Sequence, residues 1–159
     1  GRGKQTALIY DSPNTNTKLS LTYEELLHKV ACFAGGLQKK GIKKGDRVML
    51  YMPMTPEALI TMLACARIGA IHTVVFGGFS SREIATRMED THPSMLVVGD
   101  IGYEPGKTIS YFSLASQALS LSTHTPSSLC LFTRPPSLTP FSPPLSSAEL
   151  QLHEELKQQ

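Results

Sequence analysis

Two loops carry the residues whose types and spacing could bind a ligand. In the first, Val75–Ser80, Gly77 and Gly78 follow an apolar run and would let the backbone approach a ligand closely or adopt a positive φ. A predicted helix begins just after them, and its N-terminus at Ser80–Arg82 would present backbone N–H groups to an anion. A plain strand-to-helix turn explains the same pattern, so both interpretations stay open.

The second loop is Glu104–Lys107, with the sequence Glu-Pro-Gly-Lys. Pro105 and Gly106 stiffen a turn, and Lys107 could direct a positive charge toward a phosphate group. The alternative is an exposed turn with a solvated lysine.

Motifs of other chemistries are absent from the sequence. It contains no Gly-x-x-x-x-Gly-Lys-Ser/Thr loop, no Gly-x-Gly-x-x-Gly loop and no Gly-x-Ser-x-Gly nucleophile elbow. Carboxylates such as Glu24 and Glu25, or Glu154 and Glu155, are adjacent in sequence and therefore point in different directions on a helix. We accordingly assign no catalytic residue.

Several features of the composition argue against a metal site, a nucleic-acid partner and a membrane span. Cys32, Cys65 and Cys130 lie far apart, which favours thiols in a reducing compartment. The five histidines show no metal-ligand spacing, so no metal site is assigned. The net charge of +2 gives no reason to expect a nucleic-acid partner. No apolar run reaches the roughly 18 to 20 residues of a membrane span.

The first 125 residues alternate between strand and helix patterns, and these elements must position the two loops. Capping boxes predict helix starts at Thr22, with Glu25, and at Ser80, with Glu83. Strands are predicted at Ala7–Tyr10, Leu19–Leu21, Arg47–Met52, His72–Phe76, Met95–Val98 and Leu129–Phe132. Helices are predicted from Thr22 to a stop at Gly41, from Pro56 to Gly69, from Ser80 to about Asp90 and over Leu114–Leu121.

This alternation predicts an α/β fold, a doubly wound parallel sheet with helices on both faces. Ligands of such sheets bind outside the carboxyl ends of the strands, where the Gly77-Gly78 turn and a predicted loop over Asp100–Lys107 would lie. The Pro56–Gly69 helix is apolar almost all round, so it needs cover on several sides.

The composition changes after residue 125, because six of the eleven prolines fall between Pro126 and Pro144. We therefore predict an α/β subdomain over residues 1–125, a Pro/Ser-rich loop or linker over 126–147, and a short polar helix over 148–159.

Longer strings of the sequence resemble one family. The segments GRGKQTALIYDSP, LTYEELL, KKGDRVMLYMPMTPEALITMLACARIGAIHTVVFGGFSSREIATRMEDTHPSMLVV and YEPGK resemble the acetyl- and propionyl-CoA synthetases of the adenylate-forming superfamily. The resemblance is most specific between Gly45 and Phe79. The Glu-Pro-Gly-Lys loop resembles the propionate-preferring mitochondrial branch more than the bacterial acetate branch.

The resemblance implies part of the large N-terminal domain of an enzyme that activates a short carboxylic acid with Mg-ATP and transfers the acyl group to coenzyme A. It implies contacts with coenzyme A at Glu104, Pro105, Gly106 and Lys107. Phe76, Gly77 and Gly78 match a loop along the same cofactor's path. Glu104 stands where the bacterial acetate enzymes place an arginine.

The family's phosphate loop, acyl pocket and catalytic lysine have no counterpart in the 159 residues. We therefore expect an N-terminal piece of such a ligase that is inactive alone, because the charge developing on the α-phosphate would lack its stabilising groups. A non-catalytic module that binds coenzyme A or a partner, and a truncation that cannot fold stably, are the alternatives. The expected partners are small molecules: a short-chain carboxylate, ATP and coenzyme A. The branch resembled implies the mitochondrial matrix, with the cytoplasm as the alternative.

Overall fold

The computed structural model describes residues 1–104 and 107–133, which form eight strands and four helices. The strands are β1 (Thr6–Ser12), β2 (Thr17–Thr22), β3 (Arg47–Tyr51), β4 (Ile71–Val74), β5 (Met95–Gly99), β6 (Ile101–Glu104), β7 (Lys107–Ser110) and β8 (Ser128–Phe132). The helices are α1 (Tyr23–Lys39), α2 (Pro56–Ile68), α3 (Ser81–Thr91) and α4 (Tyr111–Leu121).

Local sequence signals set the starts of α1 and α3 and the end of α2 as predicted, whereas α4 begins at Tyr111, three residues before the predicted Leu114. The Thr22 hydroxyl accepts a hydrogen bond from the backbone N–H of Glu25 at 3.3 Å, and the Glu25 carboxylate accepts one from the Thr22 N–H at 2.8 Å. Ser80 and Glu83 repeat this reciprocal arrangement at the start of α3. Gly69 ends α2 in the left-handed conformation, with φ of 75°.

In the described part of the chain, the central sheet contains four parallel strands in the order β4-β3-β5-β8. Alternate residues of β3 face opposite sides: Val48 and Leu50 pack with α1 and α2, whereas Met49 and Tyr51 pack with α3 and α4. Helices therefore cover both faces of a parallel sheet, which confirms the predicted fold class.

Two antiparallel hairpins accompany the sheet. One pairs β1 with β2, and the other pairs β6 with β7. The prediction of a loop over Asp100–Lys107 was wrong, because Ile101–Glu104 and Lys107–Ser110 are paired strands. Two short runs separated by only two residues, here Pro and Gly, are a hairpin signal.

The predicted boundary at residue 125 also moves. The strand β8 pairs with β5 in the parallel sheet, so the α/β unit continues to at least Phe132. The predicted linker beyond Thr133 and the predicted helix over 148–159 lie outside the described residues. Within the described ranges, no helix combines the length and apolar character needed to cross a bilayer.

The buried faces of two helices are narrow. On α1, Val30, Ala34 and Leu37 form the buried face, whereas Leu27 is 56% exposed. In α2, the sheet and α1 cover Ile60, Ala64 and Cys65, whereas Leu63 remains 38% exposed.

Candidate functional site

The strand order creates a switch point at the carboxyl edge of the sheet. The chain passes from β3 outward to β4 and then crosses back to β5 on the other side of β3, so neighbouring connections diverge between β3 and β5. Sheets of this kind bind ligands in the crevice at such a point. A cavity of about 280 Å³ opens there, with Met52, Pro53 and Gly99 in its lining.

The Phe76–Gly78 loop leaves the neighbouring strand at the same edge. The Phe76 side chain is 70% exposed, although it is a large aromatic group. Its ring lies over Gly78, where an added Cβ would stand 2.7 Å from the Phe76 Cε1. The ring also meets Phe79 edge-on, at 5.8 Å between centroids and 77° between planes. Phe76 thus presents an aromatic surface whose position is held by its neighbours.

Positions 77 and 78 require glycine because neighbouring side chains pack closely against the backbone there, and not because the backbone is left-handed. The positive-φ glycines among the described residues are Gly41, Gly45 and Gly69. A Cβ at Gly77 would collide with the hydroxyl of Tyr111, and one at Gly78 would meet Phe76. Of the two predicted reasons for this Gly-Gly pair, the close approach holds, but the groups approached are aromatic side chains of the protein.

Tyr51, at the end of β3, anchors this loop. Its hydroxyl lies 3.3 Å from the carbonyl oxygens of both Gly77 and Phe79, which share its single proton as acceptors. Burial, reinforced by the nearby Tyr111, raises the pKa of Tyr51 to about 12. The hydroxyl therefore stays protonated, and remains a donor, over the physiological range.

The second predicted loop is reached through Tyr111. The ring of Tyr111 stacks on Tyr51 at 4.7 Å between centroids, and a Cβ added at Gly102 in β6 would collide with its edge. The structure therefore joins the base of the β6–β7 hairpin to the Phe76–Gly78 loop. Lys107 is exposed at the start of β7, and its backbone pairs with that of Glu104. Pro105, Gly106 and the side chain of Glu104 lie outside what the structure describes.

The backbone N–H groups at the N-terminus of α3 find some of their hydrogen-bond acceptors in the protein's own side chains. The Glu83 carboxylate accepts hydrogen bonds from the N–H and the hydroxyl of Ser80, at 2.8 and 3.1 Å, and these bonds lower the pKa of Glu83. A negative charge therefore already lies at the positive end of the helix dipole. This arrangement weakens the case for an anion bound at Ser80–Arg82.

Three residues beside the loop were not singled out from the sequence. Arg87 places its guanidinium 4.0 Å from the centroid of Phe79, whose ring meets that of Phe76 edge-on. Tyr51 and Tyr111 read as ordinary core residues in the sequence, because their contacts join segments that are distant along the chain. Their hydroxyl groups were the one available signal, since a buried tyrosine usually finds a hydrogen-bond partner.

Among the residues that the structure describes, the cysteines and histidines do not form a cluster that could act as a metal or catalytic centre. Cys32 is exposed, and its Sγ lies 3.7 and 3.9 Å from the two ring nitrogens of His28. His92 and His124 form an edge-on ring pair at 4.9 Å. In the part of the chain that the structure describes, no three side chains of His, Cys, Asp or Glu are grouped to hold a metal ion.

Comparisons with known proteins point in one direction. Residues 1–148 match the family described as AMP-binding enzyme. Over 135 residues, the chain is 50% identical to the Homo sapiens protein named acyl-CoA synthetase short-chain family member 3, mitochondrial, a match covering 85% of this chain and 20% of that protein. Over 118 residues it is 47% identical to the acetyl-coenzyme A synthetase of Yersinia pseudotuberculosis, covering 74% of this chain and 18% of that protein.

A solved structure is similar as well. The acyl-CoA synthetase of Brucella canis superposes with a TM-score of 0.68 and 26% sequence identity, over 93% of this chain and 24% of that chain. The chain spans about a fifth of the length of the curated relatives it matches.

Proposed function

The chain belongs to the AMP-binding enzyme family, which confirms the resemblance, and on that premise we propose that it is part of an AMP-forming short-chain acid–CoA ligase. The proposed overall reaction joins acetate or propionate to coenzyme A, converting ATP to AMP and pyrophosphate. Relatives named acyl-CoA synthetase and acetyl-coenzyme A synthetase, at 47 to 50% identity, support this reaction class.

Within that enzyme, we propose that the Phe76–Gly78 loop and the Glu104–Lys107 loop bind the nucleotide end of coenzyme A. The observation that carries it is the Phe76 ring, which is 70% exposed at the carboxyl edge of the sheet yet held over Gly78 and against Phe79. An exposed, oriented aromatic face suits stacking of an adenine base. Glu104, Pro105, Gly106 and Lys107 are proposed to meet its phosphates, with the positive charge supplied by Lys107.

These residues bind and orient; none is proposed to be catalytic. Coenzyme A, when bound, supplies the thiol that accepts the acyl group. Phe76 and Gly78 would hold its base, and Lys107 would offset phosphate charge. ATP and Mg are proposed cofactors of the full-length enzyme, and groups outside these 159 residues are proposed to hold them, because the 159 residues contain no phosphate-gripping loop. The chain by itself is therefore proposed to bind without forming an acyl-adenylate, and ATP–pyrophosphate exchange by the purified chain would overturn that part.

Calorimetric titration of the chain with coenzyme A tests the binding role. Replacing Phe76 with Ala should weaken binding roughly 5- to 150-fold, since stacking of one base on an aromatic side chain is worth about 1–3 kcal/mol. The matched control is Leu27→Ala, because Leu27 is also an exposed apolar residue, at 56%, but lies on α1. The proposal fails if the unmodified chain shows no binding, or if both variants bind equally well.

The charge at the second loop can be tested separately. Lys107→Gln should weaken binding and reduce its dependence on salt, because one phosphate contact loses its charge. Glu104→Gln should act in the opposite direction, since it removes a negative charge beside the same phosphates. Equal affinities for all three chains would exclude this loop from the phosphate contact.

We also propose the mitochondrial matrix as the compartment, because the human relative carries a mitochondrial name. Imaging of the complete natural gene product with a C-terminal tag distinguishes the matrix from the cytoplasm, which is the alternative.

A further inference from the structure

We infer that Tyr111 is a positioning residue that fixes the spacing between the Phe76–Gly78 loop and the β6–β7 hairpin. The effect on coenzyme A rests on the proposed function above. The coupling between the two segments rests on contacts alone, so it can be tested without any ligand.

Tyr111 is wedged between two backbones. It is the first residue of α4 and only 7% exposed. Its hydroxyl end lies against Gly77, and one ring edge lies against Gly102, so that a Cβ at either glycine would collide with the ring or its hydroxyl. Neither glycine has a positive φ. The Tyr111 side chain therefore requires glycine at both position 77 and position 102, which belong to the two different segments that it contacts.

A second route ties the same tyrosine to the loop. The Tyr51 ring packs against Tyr111 at 4.7 Å between centroids, and the Tyr51 hydroxyl shares its proton between the carbonyl oxygens of Gly77 and Phe79. A shift of Tyr111 would therefore reach the loop both directly at Gly77 and through Tyr51. Packed aromatic contacts of this kind transmit displacement because interiors have little free volume.

The other residues around Tyr111 explain why a smaller side chain could not take its place. Tyr111 also lines a cavity of about 310 Å³ with Gly102, Tyr103 and Met54. A shorter side chain would enlarge this open space and leave Gly77 and Gly102 without their shared contact. One nucleotide that touches both Phe76 and Lys107 needs a fixed distance between them, and Tyr111 supplies it.

The first experiment compares the chain with its Tyr111→Leu and Tyr111→Phe variants by hydrogen exchange without ligand. Tyr111→Leu should speed amide exchange in both 76–79 and 101–104. Leu119→Ala is the matched control, since Leu119 lies on the same helix and packs in the same cluster without touching either glycine. Faster exchange in only one segment, or the same pattern in the control at equal loss of stability, would overturn the inference.

A size-exchange cycle makes the test independent of folding losses in Tyr111→Leu. Gly77→Ala collides most severely with the Tyr111 hydroxyl, and the next nearest ring atom is Cζ at 2.9 Å, so Tyr111→Phe should remove the worst contact and restore part of the stability lost by that variant. Gly102→Ala collides with a ring carbon, so Tyr111→Phe should not restore it. Urea unfolding measures the stability of each glycine variant with and without Tyr111→Phe. If Tyr111→Phe restores stability to both glycine variants, or to neither, the position assigned to Tyr111 between the two glycines is wrong.

Titration with coenzyme A then separates this inference from the proposed function. Tyr111→Leu should weaken binding by about tenfold or more, whereas Leu119→Ala should stay within about twofold. If the unmodified chain does not bind coenzyme A, the proposed function fails, and hydrogen exchange and the glycine cycle still decide the role of Tyr111. If binding is normal in Tyr111→Leu, the positioning role is wrong.

Discussion

The rings of Tyr51 and Tyr111 stack at 4.7 Å between centroids with 38° between their planes, which joins the end of β3 to the start of α4. Each ring also reaches the Phe76–Gly78 loop, Tyr51 through its hydroxyl and Tyr111 through its contact with Gly77. The pair consequently supports the backbone of the loop that carries the exposed ring of Phe76.

Tyr51→Phe should cost about 0.5–1.5 kcal/mol at neutral pH, the net value of a typical hydrogen bond. It should also change the alkaline behaviour. The pKa of Tyr51 is raised from 10.0 to about 12, so the unfolded chain loses this proton first as the pH rises. The contribution of Tyr51 to stability is therefore complete below pH 10 and is lost between pH 10 and about 12.

Urea unfolding at pH values of about 8, 10 and 12 measures this contribution. The fall in unfolding free energy between the two higher values should be smaller in Tyr51→Phe than in the unmodified chain. Tyr23→Phe is the control, because Tyr23 is 47% exposed on α1. Identical falls in all three proteins would refute the assignment.

The elements of this fold could largely be predicted from sequence, because their signals are local. The capping box at Thr22, the stop at Gly69 and the apolar run of β5 each depend on residues a few positions apart. The Gly77-Gly78 turn could be noticed for the same reason. The role of Tyr111 could not be predicted, because it depends on the packing of Gly77 and Gly102 against two parts of the same side chain. Contacts of that kind are a property of packing and leave no short-range pattern.

Two glycines of similar appearance in the sequence should respond oppositely to alanine. Gly35 lies inside α1 with open space where a Cβ would stand, so Gly35→Ala should stabilise the chain by about 0.5–1 kcal/mol. Gly69 has φ of 75°, so Gly69→Ala should destabilise it by roughly 1–2 kcal/mol. Thermal and urea unfolding of the two single variants measure both changes. Stabilisation by Gly69→Ala would mean that the left-handed helix end is misplaced, whereas destabilisation by Gly35→Ala would contradict the open space beside Gly35.

The capping boxes should shape stability in acid. Hydrogen bonds from the backbone and side chain of Thr22 lower the pKa of Glu25, and those from Ser80 do the same for Glu83. A lowered pKa in the folded state means that this stabilisation is present above the ordinary carboxyl pKa of 4.5 and is lost as the pH falls through the lower, folded value. Glu25→Gln and Glu83→Gln should each flatten the acid side of the stability profile. A double variant with an acid side as steep as that of the unmodified chain would contradict the reciprocal bonds.

The three cysteines should react with iodoacetamide in an order set by their surroundings. Cys32 is exposed on α1, whereas Cys65 is buried and has its pKa raised to about 11 by that burial. Burial also raises the pKa of Cys130. Since the thiolate is the reactive form, only about one part in a thousand of Cys65 would be reactive at pH 8 even if reagent reached it.

Peptide mass spectrometry after timed alkylation at about pH 8 should therefore show Cys32 modified first, then Cys130, and Cys65 last. The same reaction in concentrated urea is the control, because unfolding removes the burial and should bring the three rates close together. Cys32→Ser should leave the slow rate at Cys65 unchanged, since the two side chains lie on different helices. Early modification of Cys65 in the native chain would show that α2 separates from the sheet, and would contradict the packing of Cys65 against β3 and β5 on which the core depends.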